Sequence, residues 1–100
     1  MMAKTLLLVE SRPAAAELVE EYHTWHEQTH LPEMLAIDGF VTARRWGADD
    51  EDSFITLYEI DTDIETARAN VRAALQDGRI SRPVVVQTQP PPAMRYLSPV

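Results

Sequence analysis

One hundred residues, 45% of them hydrophobic and 25% charged, suit a single globular domain with a modest core. The formal charge of −7 opposes phosphate backbones and anionic membrane surfaces, so neither nucleic acid nor membrane is an expected partner. Without cysteine there is no disulfide, iron–sulfur cluster or thiol nucleophile.

The run Thr5-Leu6-Leu7-Leu8-Val9 is continuous and apolar, and reads as a buried first strand over residues 4–10. It is too short for a signal peptide or a membrane span, and a cytoplasmic location is the expectation. Ser11-Arg12-Pro13 breaks it. A helix is predicted over residues 14–29, where Ala15, Leu18, Val19, Tyr22, Trp25, His26 and Thr29 recur at spacings of three and four. Pro32 is expected to stop that helix, because proline pushes the residue before it out of helical geometry, and to open a short turn over 32–37.

Asp38-Gly39 is a turn, followed by a second strand over 40–46, an acidic hairpin loop over 47–52 and a third strand over 53–60. Thr62-x-x-Glu65 reads as a capping box. The helix it opens buries Ile64, Ala67, Val71, Ala74 and Leu75 and ends at Gly78. A fourth strand is expected over 83–89, on Val84-Val85-Val86, and Pro90-Pro91-Pro92 cannot continue a ladder. The core is therefore placed at 4–89, with a proline-rich segment 90–100 whose apolar piece 93–97 is a candidate for pairing with another subunit. The order β-α-β-β-α-β defines an α+β, ferredoxin-like domain with a four-stranded antiparallel sheet. Its strands are apolar on both sides, so the sheet face away from the helices needs a cover. A second copy of the chain is the expected partner.

His30 is the first candidate for chemistry. Imidazole exchanges protons near neutral pH, so His30 can serve as general acid or base toward an enol, a phenol or a β-keto compound. It can equally cap the helix by bonding its last carbonyls. At about 100° per residue, His23, His26 and His30 fall within an arc of roughly 60°. The i, i+4 pair His26 and His30 has the spacing of helical metal sites, yet a further ligand such as Glu27 or Glu33 would be needed, and no metal is expected. Tyr22, Trp25 and His26 on the apolar face, and Tyr58 on the third strand, are candidate walls for a flat ligand, with core packing the alternative role. Arg44 and Arg45 alternate across the second strand. One of them must face inward or across a dimer, where it could hold a carboxylate or enolate. Arg44 is taken as the ligand candidate, the sequence leaves open which of the two faces the pocket, and a salt bridge to Glu10 or Glu59 is the competing role. The chain has no phosphate loop, dinucleotide fingerprint, nucleophile elbow or flavin motif, and no cofactor is expected.

The run Tyr22-His23-Thr24-Trp25-His26-Glu27-Gln28-Thr29-His30-Leu31-Pro32-Glu33-Met34, with Gly39-Phe40, Ala43-Arg44-Arg45 and Leu57-Tyr58-Glu59-Ile60 after it, resembles the dimeric α/β-barrel superfamily, most nearly an EthD-like branch. The resemblance extends from about Leu6 to Val86 and implies a ferredoxin-like homodimer. Relatives include cofactor-free monooxygenases, polyketide cyclases, isomerases, and dye and haem enzymes, so fold alone does not transfer an activity. Two functions stand side by side. One is a cofactor-free cyclase, isomerase or oxygenase that moves a proton with His30 on an aromatic or polyketide-type substrate. The other is a non-catalytic ligand-binding or accessory protein of the same fold.

Overall fold

Strand β1 (Thr5–Ser11) lies inside the sheet, with β3 (Phe54–Ile60) on one side and β4 (Ala93–Leu97) on the other, and β2 (Phe40–Gly47) pairs with the far side of β3. Every pairing is antiparallel and the order is β2-β3-β1-β4, the ferredoxin-like arrangement. The structure is a computed structural model that describes residues 4–50 and 52–100. Helical chain covers one sheet face: α1 (Val19–Trp25), a π-helical turn (His26–His30) and α2 (Leu31–Leu35) run on as one rod, and α3 (Ile64–Gln76) lies beside them. Among the described residues no helix is long and apolar enough to cross a membrane.

Register sorts the side chains. Leu7 stands opposite Tyr58 and Val9 opposite Thr56, on the helix side. Leu7, Tyr58 and Ile60 are fully buried against Met34, Ile37, Ala67, Val71 and Ala74. The other face carries Leu8 opposite Leu57, with Arg44 and Arg95 at the two ends of that row. A bulge between Phe40 and Thr42 puts one extra residue into β2. The extra residue reverses the alternation, so Phe40, Ala43 and Arg45 share the inner face. Gly39 precedes the bulge at φ +91°, where a Cβ would lie 3.0 Å from Thr62 Cγ2, so the turn there needs glycine.

Three expectations are corrected. Residues 83–89 do not form the fourth strand: they make one bridge, Pro13 to Val86, and Val84 is exposed. The strand is Ala93–Leu97, which occupies the β1 edge within the same chain and so enlarges the core unit beyond residue 89. Pro32 does not stop the first helix. The Leu31 N–H reaches back to the His26 carbonyl, so the helix widens into a π-turn just before Pro32 and continues through it into α2. The second helix is capped by Asp63, not Thr62, through its Oδ1 accepting from the Thr66 N–H at 2.7 Å.

Candidate functional site

Between the rod, α3 and the inner sheet face lies a cavity of about 430 Å³. Trp25, His26 and His30 on the rod face Val9 and Ser11 of β1 and Val71 of α3 across it. The remaining side is closed by the irregular chain after α3, through Ile80, Ser81, Pro83 and Val86. That chain is strapped down at two places. Glu33 of α2 accepts from the Ser81 N–H at 2.8 Å and from the Ser81 hydroxyl, and near the end of β1 the Ala14 N–H donates to the Val85 carbonyl.

His30 stacks on Trp25, with ring centroids 4.6 Å apart and planes inclined by 15°. Its Nδ1 is buried and has no hydrogen-bond partner. Burial lowers its pKa, the Glu33 carboxylate opposes that shift, and the Arg45 charge adds to it. His26 is held differently. Its Nδ1 lies 2.8 Å from the Tyr22 carbonyl, which can only accept, so Nδ1 carries the proton and Nε2 keeps the lone pair. Burial pushes its pKa down to about 4, so the ring is neutral at pH 7.

Tyr22 is fully buried behind this wall rather than in it, with its ring 4.4 Å from that of His26 and its hydroxyl 2.5 Å from Ser11 Oγ. Tyr58 is also fully buried, outside the cavity lining. Its hydroxyl has no partner, and burial raises its pKa. Arg44, the arginine expected at the ligand, is exposed on the opposite sheet face because of the bulge in β2. Arg45 is the inward one. Its Nη1 donates to His23 Nδ1 at 3.0 Å, and its guanidinium carbon lies 5.4 Å from the centre of the Tyr22 ring. Neither arginine pairs with Glu10 or Glu59. Glu59 accepts from Thr42 Oγ1 at 2.6 Å, and the ion pairs among the described residues are Arg12–Asp50 and Arg79–Asp77.

Among the described residues no group of three or more metal-ligating side chains is placed to hold an ion. Sequence reasoning did not single out Ser11 or Ser81, since isolated serines in breaks carry no pattern.

The architecture and the cavity define a ferredoxin-like domain built around a small-molecule-sized pocket. No protein-family model matches the sequence, and no curated protein matches it. Solved structures of the same fold do. A monooxygenase from the gene ActVA-Orf6 of Streptomyces coelicolor, in complex with nanaomycin D, superposes with a TM-score of 0.60 at 10% identity, covering 98% of this chain and 88% of that one. Rv0793 from Mycobacterium tuberculosis gives 0.58 at 12% identity over 96% of this chain and 95% of its own. A presumed monooxygenase from Shewanella loihica gives 0.55 at 15% identity over 100% and 98%. At these identities the likeness is one of fold.

Proposed function

We propose that the chain is a small-molecule enzyme of oxygenase type, in which His30 moves a proton on an aromatic or polyketide-type molecule lying against the Trp25–His30 stack. The observation that carries this reading is the pair of imidazoles in the wall of a mostly apolar cavity, whose other polar lining residues are Ser11, Ser81 and Arg82, with burial and the Arg45 charge both favouring the neutral forms of the two rings. His30 is the proton acceptor, since the Glu33 carboxylate supports its charged form. His26 accepts a hydrogen bond from the ligand through Nε2, and Tyr22 keeps it in that tautomer. The shared fold with monooxygenases supports oxygenation over cyclisation or isomerisation. The lack of cofactor motifs in the sequence supports chemistry without a resident cofactor. The EthD-like branch is our reading of Trp25 and His30-Leu31-Pro32.

The test is aerobic incubation of the purified protein with a panel of polycyclic phenols and β-polyketones, without added cofactor, following oxygen uptake and products by mass spectrometry. Turnover of at least one compound is expected. A second reading, a non-catalytic binding protein, draws on the missing partner of His30 Nδ1, which leaves the base without an orienting bond. Saturable binding across the panel with no oxygen uptake would select it.

The protein is further proposed to act as a cytoplasmic homodimer joined through the outer sheet face. There a row of Arg95, Leu8, Leu57 and Arg44 runs across the strands, beside Leu6 and Ile55. Analytical ultracentrifugation at micromolar concentration should give about twice the 11.3 kDa chain mass. A Leu57→Arg substitution should shift it to a monomer, whereas a wild-type chain that sediments as a monomer removes the proposal.

A further inference from the structure

Arg45 is a shielded cation without a counter-ion. The groups that face it from the rod are Tyr22, His23, His26 and His30, and those from β3 are Phe54, Thr56 and Tyr58. None is acidic. Among the described residues Arg45 has no salt bridge, although the chain as a whole is strongly acidic. Arg45 is half-buried, yet two of its guanidinium nitrogens are kept from both water and a carboxylate, which is costly and calls for an explanation.

The unpaired atoms supply one. Nη1 is used by His23, while Nε and Nη2 are buried and have no partner. These two nitrogens lie along one edge of the guanidinium plane, with roughly parallel N–H bonds. That edge matches the two oxygens of a carboxylate. The Tyr58 hydroxyl, fully buried, is a further donor without an acceptor, and it feels the Arg45 charge.

We infer that Arg45 and Tyr58 form a binding site for a carboxylate behind the His26–His30 wall of the cavity. The Arg45 Nε–H and Nη2–H grip its two oxygens, and the Tyr58 O–H donates a third bond. This goes beyond the catalytic reading and stands even if the cavity turns nothing over. A bound carboxylate would also cancel the Arg45 charge that disfavours protonation of His26 and His30, so both imidazoles should titrate higher when the site is filled.

Two sources share this chemistry: a free small carboxylate, and a carboxylate carried by a ligand of cavity size. Formate and benzoate probe them separately. The full chain is titrated with each at constant ionic strength, with chloride as the control, while the Arg45 ¹⁵Nε resonance and the histidine pKa values are followed by NMR. A saturable shift of the Nε resonance and a rise in the histidine pKa values are expected. Arg45→Met should abolish binding, and Tyr58→Phe should weaken it by about tenfold or more, as for a hydrogen bond to a charged group. Formate alone saturating identifies a free small ion, and benzoate competing with formate identifies a ligand-borne group. No saturable response to either, the same response to chloride, or undiminished binding in Arg45→Met would overturn the inference. The wild-type Nε signal reads the site directly, so the result does not depend on how well the variants fold.

Discussion

Replacing His30 by alanine is expected to lower turnover by about two to four orders of magnitude, the share usually supplied by a general acid or base. The ring lines the cavity, stacks on Trp25 and carries a buried Nδ1 without a partner. A packing residue lost from the same place would alter the fit of the ligand and raise KM, leaving kcat less affected. Thr24→Ala, exposed on α1, is the control and should leave both constants unchanged. The pH profile separates the roles further. A base must be neutral, and burial holds the His30 pKa below its usual 6.5, so activity should be level at neutral pH and fall only on the acid side of 6.5. Glu33 raises that pKa, so Glu33→Gln should move the acid limb to still lower pH. An unaltered kcat in His30→Ala would end its assignment as the proton carrier.

The fold should also lose stability in mild acid, before its carboxylates titrate. His26 is only 5% exposed, and its pKa is lowered to about 4. In the unfolded chain the same ring titrates near 6.5. Between those values the unfolded chain binds a proton that the folded one refuses, so stability is complete above pH 6.5 and drains as the pH falls toward 4. The loss from this one ring is about 2 kcal/mol at pH 5 and about 3 kcal/mol at its limit. Burial lowers the pKa values of His23 and His30 as well, and these changes have the same sign. Urea unfolding at pH 7 and pH 5 measures the difference, and His26→Leu should reduce it by about 2 kcal/mol. Asp50 and Asp63, whose carboxyls accept backbone N–H bonds and titrate below 3.8, act only in stronger acid. A pH-independent unfolding free energy between 7 and 5 would show that the His26 ring is not buried as described.

The first three strands were legible as apolar, β-forming runs bounded by turn residues, and the helices as apolar stripes at spacings of three and four. The fourth strand was not legible. Val84-Val85-Val86 has the stronger β-propensity, but the free edge of β1 admits one ladder. Residues Ala93–Leu97 take it, with Met94 and Tyr96 turned inward opposite Val9 and Leu7. A single residue decided the arginines. Counting by twos from Phe40 brings Arg44 inside, and the bulge at Val41 substitutes Arg45. Bulges leave little trace in one sequence, and neither does a π-helical turn, so Pro32 read as a stop. The common side of Trp25, His26 and His30 was visible from their spacing. The lone-pair direction of His26 was not, because the Tyr22 carbonyl sets it.

The strap that closes the cavity separates what the protein holds from how it stands. Ile80, Ser81, Pro83 and Val86 shape the cavity, yet they lie in chain that contributes a single bridge and no strand to the sheet. Ile80 and Val86 also pack against the core, but substitutions at the exposed Arg82 and Pro83 can change the outline of the pocket while the ladders and the helix packing stay as they are. Descendants of such a chain can exchange one ligand for another in small steps, each leaving a folded protein behind. The rod that bears His26 and His30 has no such freedom, since its residues serve the core and the cavity at once.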